Sequence, residues 1–126
     1  MAVIVTGIGC DLTNIIRIKK IIVKFQCRFL KRICTPIEIS MAPFEQNLLM
    51  FNYYAKRFSA KEAYAKAAGT GISSGVSFQS MEILNNVQGA PYFHRHPLAS
   101  NNIKSYLSLS DDFPYAISYV ILTQHS

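Results

Sequence analysis

Four charged side chains within one short segment could bind an anion or a metal ion. They lie in the sequence Arg57-Phe-Ser-Ala-Lys61-Glu62-Ala-Tyr-Ala-Lys66. Residues four apart share a helix face, so a helix here would place Arg57 beside Lys61. Such paired cations repel by roughly 0.2–0.5 kcal/mol, and an anion bound between them would remove that penalty. The alternative is an exposed ion pair between Glu62 and Lys66, with a solvated Arg57.

Asp11 is a second carboxylate whose position suits a ligand. It follows Gly7-Ile-Gly9-Cys10, and two glycines let the backbone come close to a ligand or to another chain. A carboxylate at a strand end can bind Mg²⁺, which takes one or two protein carboxylates and fills its shell with water and phosphate oxygens. The alternative role for Asp11 is the N-cap of the following helix.

Three further patterns carry weaker signals. Residues 69–75 have the composition of a phosphate-binding loop, but they follow a helix instead of preceding one, so a helix C-cap and a turn are expected. His94 and His96 have no third metal ligand nearby and are expected at a surface strand end. Four aromatic residues are expected in the core and not as a base-stacking platform. They are Phe51, Tyr53, Tyr54 and Phe58.

The elements that position these residues predict an α+β fold. Residues 2–8 are typical of a strand, residues 12–29 of a basic amphipathic helix or helix pair, and residues 44–68 of a long helix ended by Gly69. Strands are predicted at 76–84, 91–94, 105–110 and 115–123, with a turn at 85–89 and a short helix or loop at 97–102. Because helices and strands are segregated, we expect one α+β domain over residues 1–126.

The composition excludes a disordered chain and favours an anionic partner. Half of the residues are apolar and 16% are charged, against about 25% charged in an average domain. This balance suggests apolar surface covered by sister subunits. The net charge of +6 favours nucleic acid, a phosphorylated ligand, an acidic protein or an anionic membrane surface.

The cysteines and the apolar runs predict a cytoplasmic protein. Cys10, Cys27 and Cys34 are odd in number and lack a CxxC spacing, so we expect buried free thiols in a reducing compartment, with neither disulfides nor zinc. No targeting segment is visible. No apolar stretch approaches the roughly 20 residues that span a bilayer, so no membrane span is expected.

Four blocks in order resemble the bacterial holo-[acyl-carrier-protein] synthases, which are phosphopantetheinyl transferases. The blocks are residues 7–12, residues 57–63 continuing to 66–72, residues 78–83 with Gly89 and Pro91, and residues 108–111 followed by Tyr115-Ala. The second block is the most specific, with KEA at 61–63 and GTGI at 69–72.

The resemblance implies a reaction and an assembly. The family transfers the 4′-phosphopantetheine arm of coenzyme A to a serine of apo-acyl carrier protein, requires Mg²⁺, and releases adenosine 3′,5′-bisphosphate. It supports fatty acid biosynthesis. The implied fold is a mostly antiparallel sheet packed against a long helix, in a homotrimer with active sites between subunits.

The resemblance also implies residue roles. Asp11 and Glu62 match two metal ligands and, with Lys66 near the pyrophosphate, are the implied catalytic residues. The implied coenzyme A-binding residues are Arg57, Lys61, Lys66, Gly69, Gly71, Ser110 and Asp111. The implied carrier-protein surface contains Arg17, Lys24, Arg28 and Arg32.

Two departures from the family pattern bear on these roles. Position 111 is Asp where many members have His, and a carboxylate there would repel phosphate. Position 90 is Ala where Lys is usual, which removes one cation near the nucleotide. The proton of the serine could pass to Lys66, to Glu62 or to a metal-bound water.

Two alternative functions differ from transfer. A basic nucleic-acid-binding domain fits the charge, but the sequence has no helix-turn-helix or RNP-like pattern; we therefore expect no nucleic acid partner. A coenzyme A-binding homologue that has lost transfer is the other alternative, and the presence of Asp11 and Glu62 argues against it.

Overall fold

The computed structural model describes residues 2–73 and 75–126. Met1 lies outside these ranges, as does Ser74 of the predicted loop at 69–75. The strands are β1 (Val3–Asn14), β2 (Glu82–Asn85), β3 (Pro91–Arg95), β4 (Ile103–Asp112) and β5 (Tyr115–His125). The α-helices are α1 (Ile15–Phe25), α2 (Cys27–Ile33), α3 (Pro36–Ser40) and α4 (Leu48–Ala68), and two 3-10 helices span Phe78–Ser80 and Pro97–Asn101.

Three long strands form an antiparallel sheet in the order β1-β5-β4, and one face of this sheet packs against α4. The strands β2 and β3 pair separately. The β5 side chains that point toward α4 are buried. They are Ala116, Ser118, Val120 and Leu122. The predicted α+β fold, with a mostly antiparallel sheet against a long helix, is confirmed.

Two glycines of β1 allow the strand to lie directly on α4. A Cβ atom built on Gly9 would overlap the carbonyl oxygen of Ala63, and one built on Gly7 would overlap that of Ala67. Any larger residue would push the strand away from the helix. The glycines therefore bring Asp11, two residues after Gly9, next to α4.

The helix α4 is surrounded on most sides, and its small residues make this possible. Its second half packs with the sheet and with β2 and β3, while its first half packs with α1 and the α2–α3 segment. Its alanines include Ala55, Ala60, Ala63 and Ala65, all with 0% exposure. A charged side chain on α4 is consequently either buried with a partner or directed at one of the few gaps between elements.

The first strand is longer than the sequence predicted. β1 continues to Asn14 because each residue from Gly7 to Asn14 pairs with β5, including Asp11 with Ser118. The N-cap of α1 is Asn14, whose side chain accepts hydrogen bonds from Ile16 and Arg17 backbone N–H groups. The alternative role of Asp11 as a helix N-cap is therefore wrong.

Two other boundaries also differ. α4 begins at Leu48 and not at residue 44, because Asn47 caps it by accepting from the Leu49 and Met50 N–H groups. The predicted strand at 76–84 contains a 3-10 turn with a Ser77–Ser80 capping box, so β2 begins at Glu82. Gly69 ends α4 in the left-handed conformation, with φ of 83°, as predicted.

The second face of the large sheet is open and largely apolar. Three cross-strand rows lie on it: Ile8–Ile121–Tyr106, Cys10–Tyr119–Ser108 and Leu12–Ile117–Ser110. Ile8 is 68% exposed and Leu12 is 62% exposed. We call these three rows the open sheet face. An apolar area of this kind marks an interaction surface.

The cysteines are only partly as predicted. Cys34 is buried, and burial raises the pKa of its thiol to about 12. Cys10 and Cys27 are exposed in the chain, because Cys10 lies on the open sheet face and Cys27 begins α2 at the surface. Within the described residues, no helix is both long and apolar enough to cross a bilayer.

Candidate active site

Asp11 and Glu62 meet where β1 crosses α4. The Asp11 side chain is 13% exposed, and Glu62 is half-buried. Burial raises the pKa of the Glu62 carboxyl, and the nearby Asp11 carboxylate raises that pKa further, while Lys66 and Arg17 oppose the change. The structure thus brings together two carboxylates that the sequence separates by 51 positions, counted from 11 to 62.

Lys66 pairs with Asp11 in the chain. Its Nζ donates to the Cys10 carbonyl oxygen at 3.0 Å and lies 3.4 Å from Asp11 Oδ1. The expected alternative, an ion pair between Glu62 and Lys66, is absent from the ion pairs of the described residues, where the partner of Lys66 is Asp11. The ammonium partly offsets the repulsion between the two carboxylates.

The carboxylate pair fits a magnesium ion. Among the described residues no three His, Cys, Asp or Glu side chains cluster as a complete protein cage. Mg²⁺ does not need one, because it binds one or two carboxylates and takes its other ligands from water and substrate phosphates. Two nearby carboxylates with a single lysine paired to one of them leave negative charge that such a cation would neutralise.

Lys61 does not face a ligand, so its predicted role in binding coenzyme A phosphate is wrong. Its side chain is 0% exposed. Nζ donates to Glu38 Oε1 at 2.6 Å, to the Ile33 carbonyl at 2.8 Å and to the Phe78 carbonyl at 3.1 Å. An ammonium has three protons, so this set of acceptors uses all of them.

Glu38, the partner of Lys61, is equally satisfied. Its Oε1 also accepts from the Thr35 N–H, which completes a capping box at the start of α3, and its Oε2 accepts from the Ile83 N–H at 2.9 Å. The ion pair therefore ties α4 to α3 and to β2. It is a structural link among three segments.

Arg57 is buried beside a cavity. It is 7% exposed, its Nη2 donates to Asn85 Oδ1 at 3.0 Å, and its guanidinium lies 4.2 Å from the ring centroid of Tyr53. The alternative of a solvated Arg57 is therefore wrong. Its Nε has no partner, although a buried N–H normally has one. The cavity, of about 630 Å³, is also lined by Lys56, so two cationic side chains border it.

Asp111 lies at the end of β4 and pairs with Lys56. The Lys56 Nζ is 2.6 Å from Asp111 Oδ1, and both side chains are about one-third exposed. The carboxylate that the sequence places near phosphate is thus neutralised by a lysine of α4. Ser110, the preceding residue, lies on the open sheet face opposite Ile117.

Gly69 and Gly71 occupy the turn that ends α4. Both have positive φ angles, 83° and 64°, which glycine adopts without strain. Turn geometry accounts for these two residues, and a contact with coenzyme A stays a prediction.

The basic residues of α1 and α2 form two groups. Arg17 lies 5.9 Å from the Phe58 ring centroid and is close enough to Glu62 to lower its pKa. Farther along, the charged groups of Lys24 and Arg28 lie 5.2 and 5.8 Å from the ring centroid of the exposed Phe25. Arg32 is exposed on α2. The basic surface therefore begins beside the carboxylates and extends away from them.

The two histidines near β3 lie in different surroundings. His94 is exposed on β3, as predicted. His96 is half-buried, with Nδ1 2.8 Å from the hydroxyl of Tyr64, and burial lowers its pKa.

Thr13 was missed by the sequence reasoning. Its hydroxyl donates to Asp11 Oδ2 at 2.6 Å. The signal for it was available, because residues two apart on a strand share a face, but it required the knowledge that β1 continues past Asp11.

Comparisons with known proteins agree on one family. A model of the 4′-phosphopantetheinyl transferase superfamily matches residues 7–120. The chain is 44% identical over 122 residues to a holo-[acyl-carrier-protein] synthase from Vesicomyosocius okutanii, with 92% of this chain and 94% of that protein covered.

Solved structures give the same result. The holo-[acyl-carrier-protein] synthase from Neisseria meningitidis has a TM-score of 0.84 and 38% identity, with 94% of this chain and 98% of that chain covered. The synthase from Bacillus anthracis, in complex with coenzyme A (3′,5′-ADP), has a TM-score of 0.86 and 34% identity, with 98% and 100% covered.

Proposed function

Because this chain belongs to the holo-[acyl-carrier-protein] synthases of the 4′-phosphopantetheinyl transferase superfamily, we propose that it transfers the 4′-phosphopantetheine arm of coenzyme A to a serine of an apo-acyl carrier protein. The observation that carries the proposal is the meeting of Asp11 and Glu62 beside Lys66. The domain spans residues 1–126, and its reaction supports fatty acid biosynthesis in the cytoplasm.

The reaction exchanges one phosphorus–oxygen bond for another. The serine Oγ attacks the phosphorus that carries the pantetheine arm, and the bond to the bridging pyrophosphate oxygen breaks. That oxygen leaves with the electron pair as part of adenosine 3′,5′-bisphosphate. Catalysis of phosphoryl transfer is mainly positioning and charge neutralisation, which is what carboxylates on a strand and a helix can supply.

Asp11 and Glu62 are the residues that would hold Mg²⁺. When bound, this ion neutralises pyrophosphate charge and polarises the phosphorus under attack. Lys66 contributes a partly exposed cation: its side chain is about half exposed and its contact with Asp11 is long, at 3.4 Å, so it is free to turn toward a phosphate. Since Lys66 acts as a donor to Asp11 and Cys10, Glu62 or water is favoured over Lys66 as the acceptor of the serine proton.

Arg57 is proposed to contact a phosphate of coenzyme A. The side chains of Arg57 and Lys56 line the same cavity, and guanidinium groups bind phosphate through charge-assisted hydrogen bonds. Asp111 would then modulate this site by holding Lys56 at 2.6 Å.

The carrier protein is proposed to dock on the basic face of α1 and α2. Carrier proteins are acidic, and a complementary potential speeds encounter. Of the basic residues on α1 and α2, Arg17 is the one that influences the Glu62 carboxyl, so it is placed to guide the incoming serine. Lys24, Arg28 and Arg32 would extend the attraction along the helices.

The open sheet face is proposed to be the interface of a homotrimer. Exposed apolar rows such as Ile8–Ile121–Tyr106 need a cover, and sister subunits supply one. Arg57 and Glu62 are five residues apart on α4, so their side chains point about 140° apart around the helix axis. One coenzyme A molecule can therefore contact Arg57 of one chain and Glu62 of a second chain more easily than it can contact both residues of the same chain.

Sedimentation and mixing test this assembly. A mixture of Glu62→Ala and Arg57→Ala chains should regain part of the activity after re-equilibration, because some interfaces contain one intact site. Activity per chain should fall on dilution below the dissociation constant of the trimer. A fully active monomer would contradict the assembly and leave transfer untouched.

The transfer itself is tested by intact mass. The chain is incubated with coenzyme A, Mg²⁺ and an apo-carrier protein, and the carrier should gain roughly 340 Da, the mass of the arm. Omission of coenzyme A and use of the Asp11→Ala variant are the controls. An unchanged carrier mass, together with salt-dependent binding of DNA or RNA, would instead support the nucleic-acid alternative.

A further inference from the structure

The two side-chain oxygens of Asp11 have different surroundings. Oδ2 accepts a hydrogen bond from Thr13 Oγ1 at 2.6 Å, whereas Oδ1 lies 3.4 Å from the Lys66 Nζ. A hydroxyl-to-carboxylate distance of 2.6 Å is typical of a strong, charge-assisted bond. Oδ2 is therefore held by a short bond within the protein, and Oδ1 has only a long contact with the half-exposed Lys66.

The backbone of Asp11 is fixed independently of its side chain. Its carbonyl oxygen accepts from Ser59 Oγ at 3.2 Å. The Ser59 hydroxyl lies 2.8 Å from that of Ser118, the residue opposite Asp11 in the sheet. With the backbone held between β5 and α4, the remaining freedom of Asp11 is rotation about its two side-chain dihedral angles.

Thr13 removes that remaining freedom. It is 2% exposed, and it lies on the same face of β1 as Asp11 because strand residues alternate. No other protein hydrogen bond to Asp11 Oδ2 is present among the described residues. Without the Thr13 hydroxyl, the carboxylate could turn and offer either oxygen, or neither, to an ion.

We propose that Thr13 is a positioning residue of the metal site, whose hydroxyl holds Asp11 Oδ2 and so fixes the orientation in which the Asp11 carboxylate would meet an ion beside Glu62. The inference rests on the proposed function, since it assumes that Asp11 and Glu62 bind a divalent cation. Partners that orient metal-binding side chains typically contribute 10–100-fold to metal affinity, so the effect is measurable.

The test is Mn²⁺ binding by the full chain, measured from the electron paramagnetic resonance signal of free Mn²⁺ with coenzyme A present. Thr13→Val keeps the shape of the side chain and removes the hydroxyl, so it should weaken binding about 10–100-fold. Thr13→Ser keeps the hydroxyl and should bind as the wild type does. Thr13→Ala serves as a second hydroxyl-free variant if Thr13→Val does not fold.

A matched control separates the effect of removing the Thr13 hydroxyl from a general effect of replacing a buried threonine. Thr123 is a buried threonine of the same sheet, and its hydroxyl contacts His125 instead of Asp11. Thr123→Val should leave Mn²⁺ affinity unchanged. Circular dichroism confirms that each variant is folded.

Two failures can be told apart. If the wild type binds Mn²⁺ and a folded Thr13→Val or Thr13→Ala chain binds it equally well, the positioning role is overturned and the proposed function stands. If the wild type binds no Mn²⁺ and Asp11→Ala transfers normally, both the positioning role and the metal site are overturned.

Discussion

Lys61 and Glu62 are neighbours on one helix, yet they belong to two different regions of the molecule. Lys61 is buried, and its ammonium group donates its three protons to Glu38 and to two carbonyl oxygens. Glu62 is half-buried beside Asp11, a group of the same charge, and its pKa is raised. The positive charge of Lys61 is fully neutralised by its protein partners. The Asp11–Glu62 pair keeps an excess of negative charge, which a bound ligand must neutralise.

The difference teaches how to separate structural from functional charges. A buried ion pair with complete hydrogen bonding has no capacity left for a substrate, however suggestive its motif. A carboxylate pair that is partly open to solvent can still bind a cation, and its uncompensated negative charge favours that binding. The two regions should therefore respond oppositely to substitution: the Lys61 region through stability, and the Glu62 region through transfer.

The largest effect is expected in the Glu62 region. Asp11→Ala and Glu62→Ala should each lower transfer at least roughly a hundredfold, the scale for removing one group that stabilises transition-state charge. Because both hold one ion, the double variant should be little worse than either single variant. The measurement is turnover at saturating Mg²⁺, with the exposed Glu45→Ala as control. Near-normal turnover by either single variant would contradict the metal assignment.

The next effect is expected in the Lys61 region. Lys61→Met strands the buried Glu38 carboxylate, so it should lower the free energy of unfolding by about 3–5 kcal/mol. The double variant Lys61→Met/Glu38→Gln removes the unpaired charge and should recover part of this loss. Urea denaturation measures both.

The matched control for Lys61 is Lys66, a more exposed lysine of the same helix. Its pair with Asp11 is long and partly solvated, so Lys66→Met should change stability by less than about 1 kcal/mol while it lowers transfer. Equal losses of stability at the two lysines would break the distinction between the regions.

The sequence was sufficient to predict that Asp11 and Glu62 lie together. The residues around Asp11 and the KEA sequence at 61–63 indicate the family, and the structure places the two carboxylates near each other. The sequence was not sufficient for Lys61, because helical spacing puts Lys61 beside Arg57 without saying what that face meets. The partner of Lys61 is Glu38, which α3 places beside it. Nothing in the sequence spacing indicates a contact between positions 38 and 61.

Element boundaries were predicted less well than the elements themselves. The apolar run at residues 2–8 ends at a glycine, yet β1 continues because β5 supplies hydrogen bonds as far as Asn14. That extension decides the site: it places Asp11 within the strand, and it puts Thr13 on the same face. Long-range pairing of this kind overrides local turn signals.

A smaller effect is expected at the edge of the Glu62 region. Arg17→Glu reverses a charge on the proposed docking surface, so it should raise the KM for carrier protein several-fold, more strongly at low salt, with little change in the KM for coenzyme A. Steady-state kinetics at two ionic strengths measure this. If the KM for coenzyme A rises instead, Arg17 serves the nucleotide and not the carrier protein.

The smallest effect is expected at His96, which contacts Tyr64 of α4. Burial raises the pKa of the Tyr64 hydroxyl, and this hydroxyl shares a hydrogen bond of 2.8 Å with His96 Nδ1. The pKa of His96 is lowered below its unfolded value of 6.5, so on acidification the unfolded chain takes up the proton first. The stability linked to burial of the neutral His96 ring is therefore present above about pH 6.5 and lost as the pH falls through the folded pKa. Urea midpoints between pH 8 and 5 should fall less steeply for His96→Gln than for wild type or for the exposed His94→Gln. Parallel curves for all three chains would show that the contact carries no pH-dependent stability.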